Sequence, residues 1–154
     1  YNDDTVQHAG VILGFGGVAG HAGVGIDKRD PGYFARAFLN CDYSAVTAAC
    51  LMISKKLYEE VGGFSEEFAV AFNDVDFCLK VREKGYLVMY DAFSQWYHYE
   101  SKSRGLDDTA EKMERFKGEV DRFQSKWKKQ LEDGDPYYNK NFSLTKAVFC
   151  MDPN

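Results

Sequence analysis

The chain has 154 residues, of which 45% are hydrophobic and 16% aromatic, so it can form one compact core and is not a disordered segment. Its formal net charge of −5, without any block of Lys or Arg, disfavours nucleic-acid binding through phosphates. The four cysteines form no C-x-x-C pair, which excludes a zinc knuckle and a dithiol redox motif.

The first half of the chain predicts short strands separated by loops. The apolar segment 6–13 predicts a strand, and the small apolar residues of 44–53 predict a buried one. Between them, the glycine-rich stretch 14–25 predicts a mobile loop that borders a cleft. The charged segment 27–32 predicts an exposed loop, and 33–39 a short helix.

The glycine-rich stretch contains a pattern that also occurs in dinucleotide-binding enzymes. Gly14-Phe-Gly16-Gly-Val-Ala19 follows the first predicted strand and matches G-x-G-x-x-A. A dinucleotide site needs a helix directly afterwards to hold the pyrophosphate. The next residues, from Gly20 to Gly25, are poor helix formers. A nicotinamide-dependent oxidoreductase is therefore disfavoured.

The second half predicts helices joined by two strands. Residues 55–61 predict a short helix that ends at Gly62-Gly63, and 73–84 predict a longer one that ends at Gly85. Strands are predicted at 86–90 and 93–99.

The longest predicted helix covers 108–131. It begins with a pattern like a capping box at Asp108 and Glu111. Apolar residues spaced by three and four give it one amphipathic stripe, which predicts a packing face. The stripe consists of Met113, Phe116, Val120, Phe123, Trp127 and Leu131.

The start of helix 73–84 is acidic. Asn73 is predicted as its N-cap, and Asp74-Val-Asp76 matches D-x-D, a pattern that chelates metal in many nucleotide-sugar enzymes. At a helix start, residues i and i+2 project about 200° apart, which predicts different roles for the two aspartates. Capping and complementation of the helix dipole would equally explain the acidic residues. Both interpretations stay open.

A further polar group follows the last predicted strand. Trp96, His98 and Glu100 would share one strand face. A single histidine can be either a ligand or a structural residue. Lys102 and Arg104 lie in the next loop, where they could cover a phosphate or be solvated.

Taken together, these segments resemble family 2 glycosyltransferases over roughly residues 45–104. Their order and spacing carry the resemblance, since each is weak alone. The segment 48–53, with Ile12 and residues 7–10, also looks like members that build bacterial surface polysaccharides. The matching segments are 48–53, Tyr58-Glu-Glu-Val-Gly-Gly-Phe-Ser-Glu66, Asn73-Asp-Val-Asp-Phe-Cys-Leu-Lys-Val-Arg82, Gly85-Tyr86 and His98-Tyr-Glu-Ser101.

The resemblance implies an α/β fold, namely the C-terminal half of a Rossmann-like GT-A domain with a mixed sheet, flanking helices and a long C-terminal amphipathic helix. Residues 1–107 would form the acceptor-side half, and 108–154 a helix and tail that pack on the same domain. The nucleotide-binding half, with the family's metal-binding D-x-D, would precede residue 1.

The resemblance also implies inverting transfer of a sugar from a nucleotide-sugar donor to a glycan or other hydroxyl acceptor. Asp74 matches the family's catalytic base, and Asn73 replaces the usual Glu before it. His98 would bind the Mn²⁺ or Mg²⁺ expected in the full-length enzyme. The expected substrate-binding residues are Asn73, Asp76, Gly63, Trp96 and Arg104.

The alternative is a non-catalytic carbohydrate-binding or interaction module derived from such an enzyme. We expect a fragment that is inactive alone and forms a homodimer through its cut sheet edge. We also expect a cytoplasmic location, at the inner face of the membrane, because no signal peptide or membrane span is visible.

Overall fold

The computed structural model describes residues 1–99, 109–146 and 149–151. It shows a mixed α/β chain with four short strands, four α-helices and three 3₁₀ turns. The 3₁₀ turns are Phe15–Gly17, Tyr33–Ala35 and Ala48–Cys50. The strands are β1 (Val11–Leu13), β2 (Ala19–His21), β3 (Cys41–Asp42) and β4 (Met89–Tyr90), and the helices are α1 (Lys55–Glu60), α2 (Asn73–Glu83), α3 (Ala110–Lys126) and α4 (Lys128–Asp133).

The strands form two small antiparallel sheets. β1 pairs with β2, and β3 pairs with β4. The α/β class predicted from the sequence is confirmed. The pairing differs from the mixed sheet that the resemblance implies, because both sheets of the described residues are purely antiparallel. The assignment to half of a GT-A domain therefore stays a prediction.

The glycine-rich stretch 14–25 is not one continuous loop, because residues 14–18 form a tight hairpin connection and Ala19–His21 form β2. Gly14, Gly16 and Gly17 all have positive φ, which lets the chain reverse within one 3₁₀ turn. β2 follows at once and pairs with β1, so no helix stands where a pyrophosphate-binding helix would be needed.

Two of the predicted strands were wrong. In segment 44–53, Ser44 and Ala45 are buried, but Ala48–Cys50 form an exposed 3₁₀ turn. Segment 93–99 contains no strand, because Asp91 closes a turn by accepting hydrogen bonds from the Phe93 amide (3.1 Å) and the Ser94 hydroxyl (2.6 Å). Segment 44–53 pairs with β1 only through a single antiparallel bridge between Ala45 and Val11.

The helices α1 and α2 match their predictions within one residue. The cap of α2 does not, since Phe72 is its N-cap residue and Asn73 already lies inside the helix. The predicted helix 108–131 is broken at Trp127, which separates α3 from α4. Thr109 caps α3 by accepting a hydrogen bond from the Lys112 amide (3.3 Å), while Asp108 lies outside the described residues.

The main core lies between β1, α2 and α3. Val11 and Leu13 face this core, whereas Ile12 faces a smaller second cluster, as expected for alternate residues of a strand. Phe123 and Trp127 bring the lower half of the amphipathic stripe into the main core. None of the helices within the described ranges has the length and apolar character to cross a bilayer.

The upper half of the stripe packs only in part. Met113 is 62% exposed, while Phe116 is 43% exposed and contacts the Phe72 ring. The predicted domain boundary near residue 107 falls within 100–108, outside the described residues, and stays a prediction.

Candidate functional site

Asp74 stands at the first turn of α2 with its carboxylate partly exposed. Its Oδ2 accepts a hydrogen bond from the Ala48 amide (3.1 Å), and its Oδ1 accepts one from the Val75 amide (2.9 Å). The Asn73 side chain accepts a hydrogen bond from the Asp74 amide (2.7 Å). Each oxygen of Asp74 keeps a further lone pair, so the carboxylate can still accept a proton or hydrogen bond.

Asp76 points the other way, into the protein, with no exposed surface. It accepts hydrogen bonds from the Ser65 hydroxyl (2.6 Å) and the Trp127 indole (2.9 Å), and it pairs with Lys126 at 2.8 Å. The two aspartates therefore have different surroundings, as the helix geometry predicted. All these partners of Asp76 belong to the protein, and its predicted role in substrate binding stays a prediction.

Gly63 is buried in the turn after α1. Its φ is +62°, and a Cβ there would lie 2.8 Å from the Tyr58 hydroxyl oxygen. Its carbonyl accepts a hydrogen bond from Lys80 of α2 (2.5 Å). Gly63 thus joins α1 to α2, and its predicted contact with substrate stays a prediction.

A broad open cleft of about 990 Å³ lies against α2, whose residues Phe77, Cys78 and Val81 line it. It is bordered by the N-terminal segment, by residues around 46–54 and by residues around 86–98. Trp96 and His98 line it, and Trp96 is 75% exposed. Asn73, Asp74, Asp76 and Gly63 do not line it. The Phe, Tyr and Trp side chains of its wall are Tyr1, Phe38, Phe77, Tyr86, Tyr90, Trp96 and Tyr97.

Two short segments, residues 47–48 and residues 7–8, connect the cleft with Asp74. The Ala48 amide bonds Asp74, and the neighbouring Thr47 amide donates to His8 Nε2 at 3.4 Å. His8 follows Gln7, whose side-chain oxygen lies 2.8 Å from His98 Nδ1. The predicted base and the predicted metal ligand therefore border the same region, although they come from distant parts of the sequence.

His8 is a half-buried imidazole that lines the cleft. Burial and the neighbouring His21 ring, 4.9 Å away, lower the pKa of His8 to about 3. Its Nε2 accepts from an amide, so the neutral ring carries its proton on Nδ1, which has no hydrogen-bond partner in the described residues. His8 is neutral at physiological pH and is not a cation for phosphate.

A metal ion would find only part of its ligand set here. Within the described residues, no three His, Cys, Asp or Glu side chains come together in a metal-binding group. The hydrogen bond from His98 Nδ1 to Gln7 Oε1 leaves Nε2 free to act as a ligand. The predicted role of His98 as a metal ligand stays a prediction.

Two residues that the sequence analysis did not single out are prominent near the site. Glu119 of α3 is 1% exposed and accepts hydrogen bonds from the Val70 and Ala71 amides just before α2. Lys126 pairs with Asp76. The spacing of Glu119, three residues after Phe116 and four before Phe123, places it on the packing face and could have revealed it. Arg104 lies outside the described residues.

Comparison with known proteins gives two relatives that match nearly the whole chain. The chain is 47% identical over 152 residues to the uncharacterized protein y4gI of Sinorhizobium fredii (strain NBRC 101917 / NGR234), covering 98% of this chain and 17% of that protein. It is 32% identical over 157 residues to the O-antigen biosynthesis protein RfbC of Myxococcus xanthus, covering 97% of this chain and 11% of that protein.

No family model matches the chain, and no solved structure matches it. The chain spans less than a fifth of the length of either relative. Over nearly its full length, this chain is thus similar to a segment of a much longer protein named for O-antigen biosynthesis.

Proposed function

We propose that this chain is the acceptor-side part of an inverting glycosyltransferase of family 2 that acts in the biosynthesis of a bacterial surface polysaccharide. The observation that carries this proposal is its 32% identity, over 97% of the chain, with an O-antigen biosynthesis protein. The ordered motifs between residues 45 and 104 support it. So does the partly exposed Asp74 carboxylate, which accepts a hydrogen bond from the Ala48 amide, between the cleft-lining residues Thr47 and Ala49.

In this proposal Asp74 is the general base. A hydroxyl is a poor nucleophile unless a base takes its proton during attack. The acceptor oxygen forms a bond to the anomeric carbon while the bond from that carbon to the diphosphate breaks. The proton passes to Asp74, and the nucleoside diphosphate leaves with the electron pair. Attack opposite the leaving group inverts the anomeric carbon.

The cleft residues would hold the substrates. Aromatic faces such as Trp96 offer apolar surface on which a sugar ring can pack, and Asn73 lies next to the base. Bound Mn²⁺ or Mg²⁺ would stabilise the negative charge of the diphosphate. His98 Nε2 would be one of its ligands, and imidazole favours Mn²⁺ over Mg²⁺. The proposed enzyme works in the cytoplasm on a nucleotide-sugar donor.

Asp74→Asn in the full-length protein tests the base. The amide keeps one oxygen, which can accept from the Ala48 amide, while its NH₂ group replaces the oxygen that accepts from the Val75 amide. Because the amide cannot take a proton, kcat should fall about 10²–10⁴-fold. Thermal stability should change by no more than about 1 kcal/mol, the usual size of an effect at a helix start. Sugar transfer is measured by nucleotide release from a panel of donors, with melting of the same samples.

A near-normal kcat in Asp74→Asn would remove the base assignment. The second candidate function, a module that binds glycan without catalysis, is favoured by the ring-lined cleft. That candidate predicts glycan binding by the wild-type protein with no transfer from any donor.

His98→Ala tests the metal assignment. The variant should require more Mn²⁺ for half-maximal activity while its acceptor KM stays the same, because it loses one ligand and no acceptor contact. Mn²⁺ titration of both proteins measures this. An unchanged metal requirement with a raised acceptor KM would assign His98 to the acceptor instead.

A further inference from the structure

The loop before α2 is held by one face of α3. The Glu119 carboxylate accepts a hydrogen bond from the Val70 amide (3.1 Å) and one from the Ala71 amide (3.0 Å). On either side of Glu119, the rings of Phe116 and Phe123 pack on Phe72, with centroids 5.6 and 5.4 Å apart. Spacings of three and four residues place these three side chains on one face of α3.

The loop that they hold is strained. Phe72 has φ +62° and ψ +5°, a left-handed conformation that costs a bulky side chain free energy. Such a conformation persists only where surrounding contacts impose it. The ring contacts hold the side chain of Phe72, and Glu119 holds the two amides before it.

This loop determines where Asp74 stands. Phe72 is the N-cap residue of α2, and its carbonyl accepts the helical hydrogen bond from the Asp76 amide (2.8 Å). Asp74 is two residues after Phe72, and its carboxylate reaches across to the Ala48 amide. A change of the left-handed turn would therefore rotate or shift the first turn of α2 and its carboxylate.

We propose that Glu119 is a positioning residue for Asp74: its buried carboxylate fixes the Val70–Ala71 amides and, through them, the start of α2. The inference rests on the proposed function, in which Asp74 is the base. A carboxylate suits this role because its two oxygens accept two parallel N–H groups at once. Glutamine cannot replace it, because its NH₂ group would face one of the two amides.

The test is kinetic coupling between Glu119→Gln and Asp74→Asn in the full-length protein. Glu119→Gln should lower kcat about 10–100-fold, since a misplacement of about 1 Å can cost that much. In the Asp74→Asn background the same substitution should change kcat less than about twofold, because the base that it positions is already lost. Faster hydrogen exchange of the Val70 and Ala71 amides should accompany the loss.

Leu131→Ala is the matched control. Leu131 packs partly buried against the same core from α4, twelve residues after Glu119, and makes no hydrogen bond to the loop before α2 among the contacts of the described residues. It should lower the melting temperature and leave kcat near the wild-type value. Phe116→Leu is a second, milder variant, because Phe116 is 43% exposed and its replacement leaves the core intact. It should lower kcat about threefold or more, and this effect should likewise be smaller in the Asp74→Asn background.

Three results would overturn this inference but not the proposed function. The first is a wild-type kcat in both Glu119→Gln and Phe116→Leu. The second is a kcat loss from Glu119→Gln that is as large in the Asp74→Asn background as in the wild type, and the third is an equal kcat loss in Leu131→Ala. The absence of sugar transfer by the wild-type protein would overturn the proposed function, and this inference with it.

Discussion

The interior face of α2 and the rim of the cleft differ in how far the protein itself satisfies their polar side chains. On the interior face, Asp76 has every contact supplied by the protein and no exposed surface. At the rim, Trp96 is 75% exposed and His98 bonds a single neighbour, Gln7, in the described residues. Substitutions on the interior face should thus act on stability, and those at the rim on ligand binding.

The largest effect on stability is expected for Asp76→Ala. It leaves the buried Trp127 indole N–H without an acceptor and Lys126 without its nearest buried partner. Lys126 keeps its ion pair with Glu67 at 2.6 Å, and its side chain is one-third exposed. The free energy of unfolding should therefore fall by about 3 kcal/mol, at the lower end for a broken buried ion pair. Urea unfolding of the chain measures it.

Asp74→Ala is the matched control for that comparison, because it is two residues away on the same helix. It should cost about 1 kcal/mol or less, the size of a lost helix-start interaction. Equal losses in the two variants would show that the two faces of α2 are not as different as their contacts indicate.

A pH effect of intermediate size is expected from His8. Its pKa is about 3 in the folded chain against 6.5 for an ordinary histidine, so below pH 6.5 only the unfolded chain takes up the proton. Stability should therefore fall as the pH drops from 6.5 to 4.5, by up to about 1.4 kcal/mol per pH unit. Urea unfolding between pH 7 and pH 4.5 measures this slope.

His8→Gln should flatten the slope, because glutamine can still accept from the Thr47 amide but does not titrate. The carboxyl groups of Asp3, Asp4 and Asp91 do not interfere, because hydrogen bonds hold their pKa values below 3.8. Their stabilising effect is lost only below that pH. An unchanged slope in His8→Gln would contradict the buried neutral state of His8.

The smallest effect on stability is expected at the rim. Trp96→Ala should change the free energy of unfolding by less than about 0.5 kcal/mol, because the ring is mostly exposed. It should raise the acceptor KM of the full-length protein about 2–10-fold if a sugar packs on the ring. Phe93→Ala is the control, since Phe93 is 79% exposed but does not line the cleft. A similar KM change in both variants would argue against sugar stacking on Trp96.

The sequence was sufficient where local chemistry decides the structure. The helices α1 and α2 end at Gly62-Gly63 and Gly85 as predicted, because the end of a helix depends on a few neighbouring residues. The separation of Asp74 from Asp76 followed from the 3.6-residue period alone. The missing helix after the glycines also followed from local propensity.

Only the tertiary structure decided which apolar segments find a partner. The predicted strands at 44–53 and 93–99 had suitable composition, but a strand also needs a neighbour along its length. In 44–53 only Ala45 has one, in its bridge to Val11. The same holds for the site. The hydrogen bonds that build it join residues 26 to 91 positions apart. They include Ala48 to Asp74, His98 to Gln7, and the two amides before α2 to Glu119. Their meeting depends on how the core packs, because no local pattern encodes contacts over such separations.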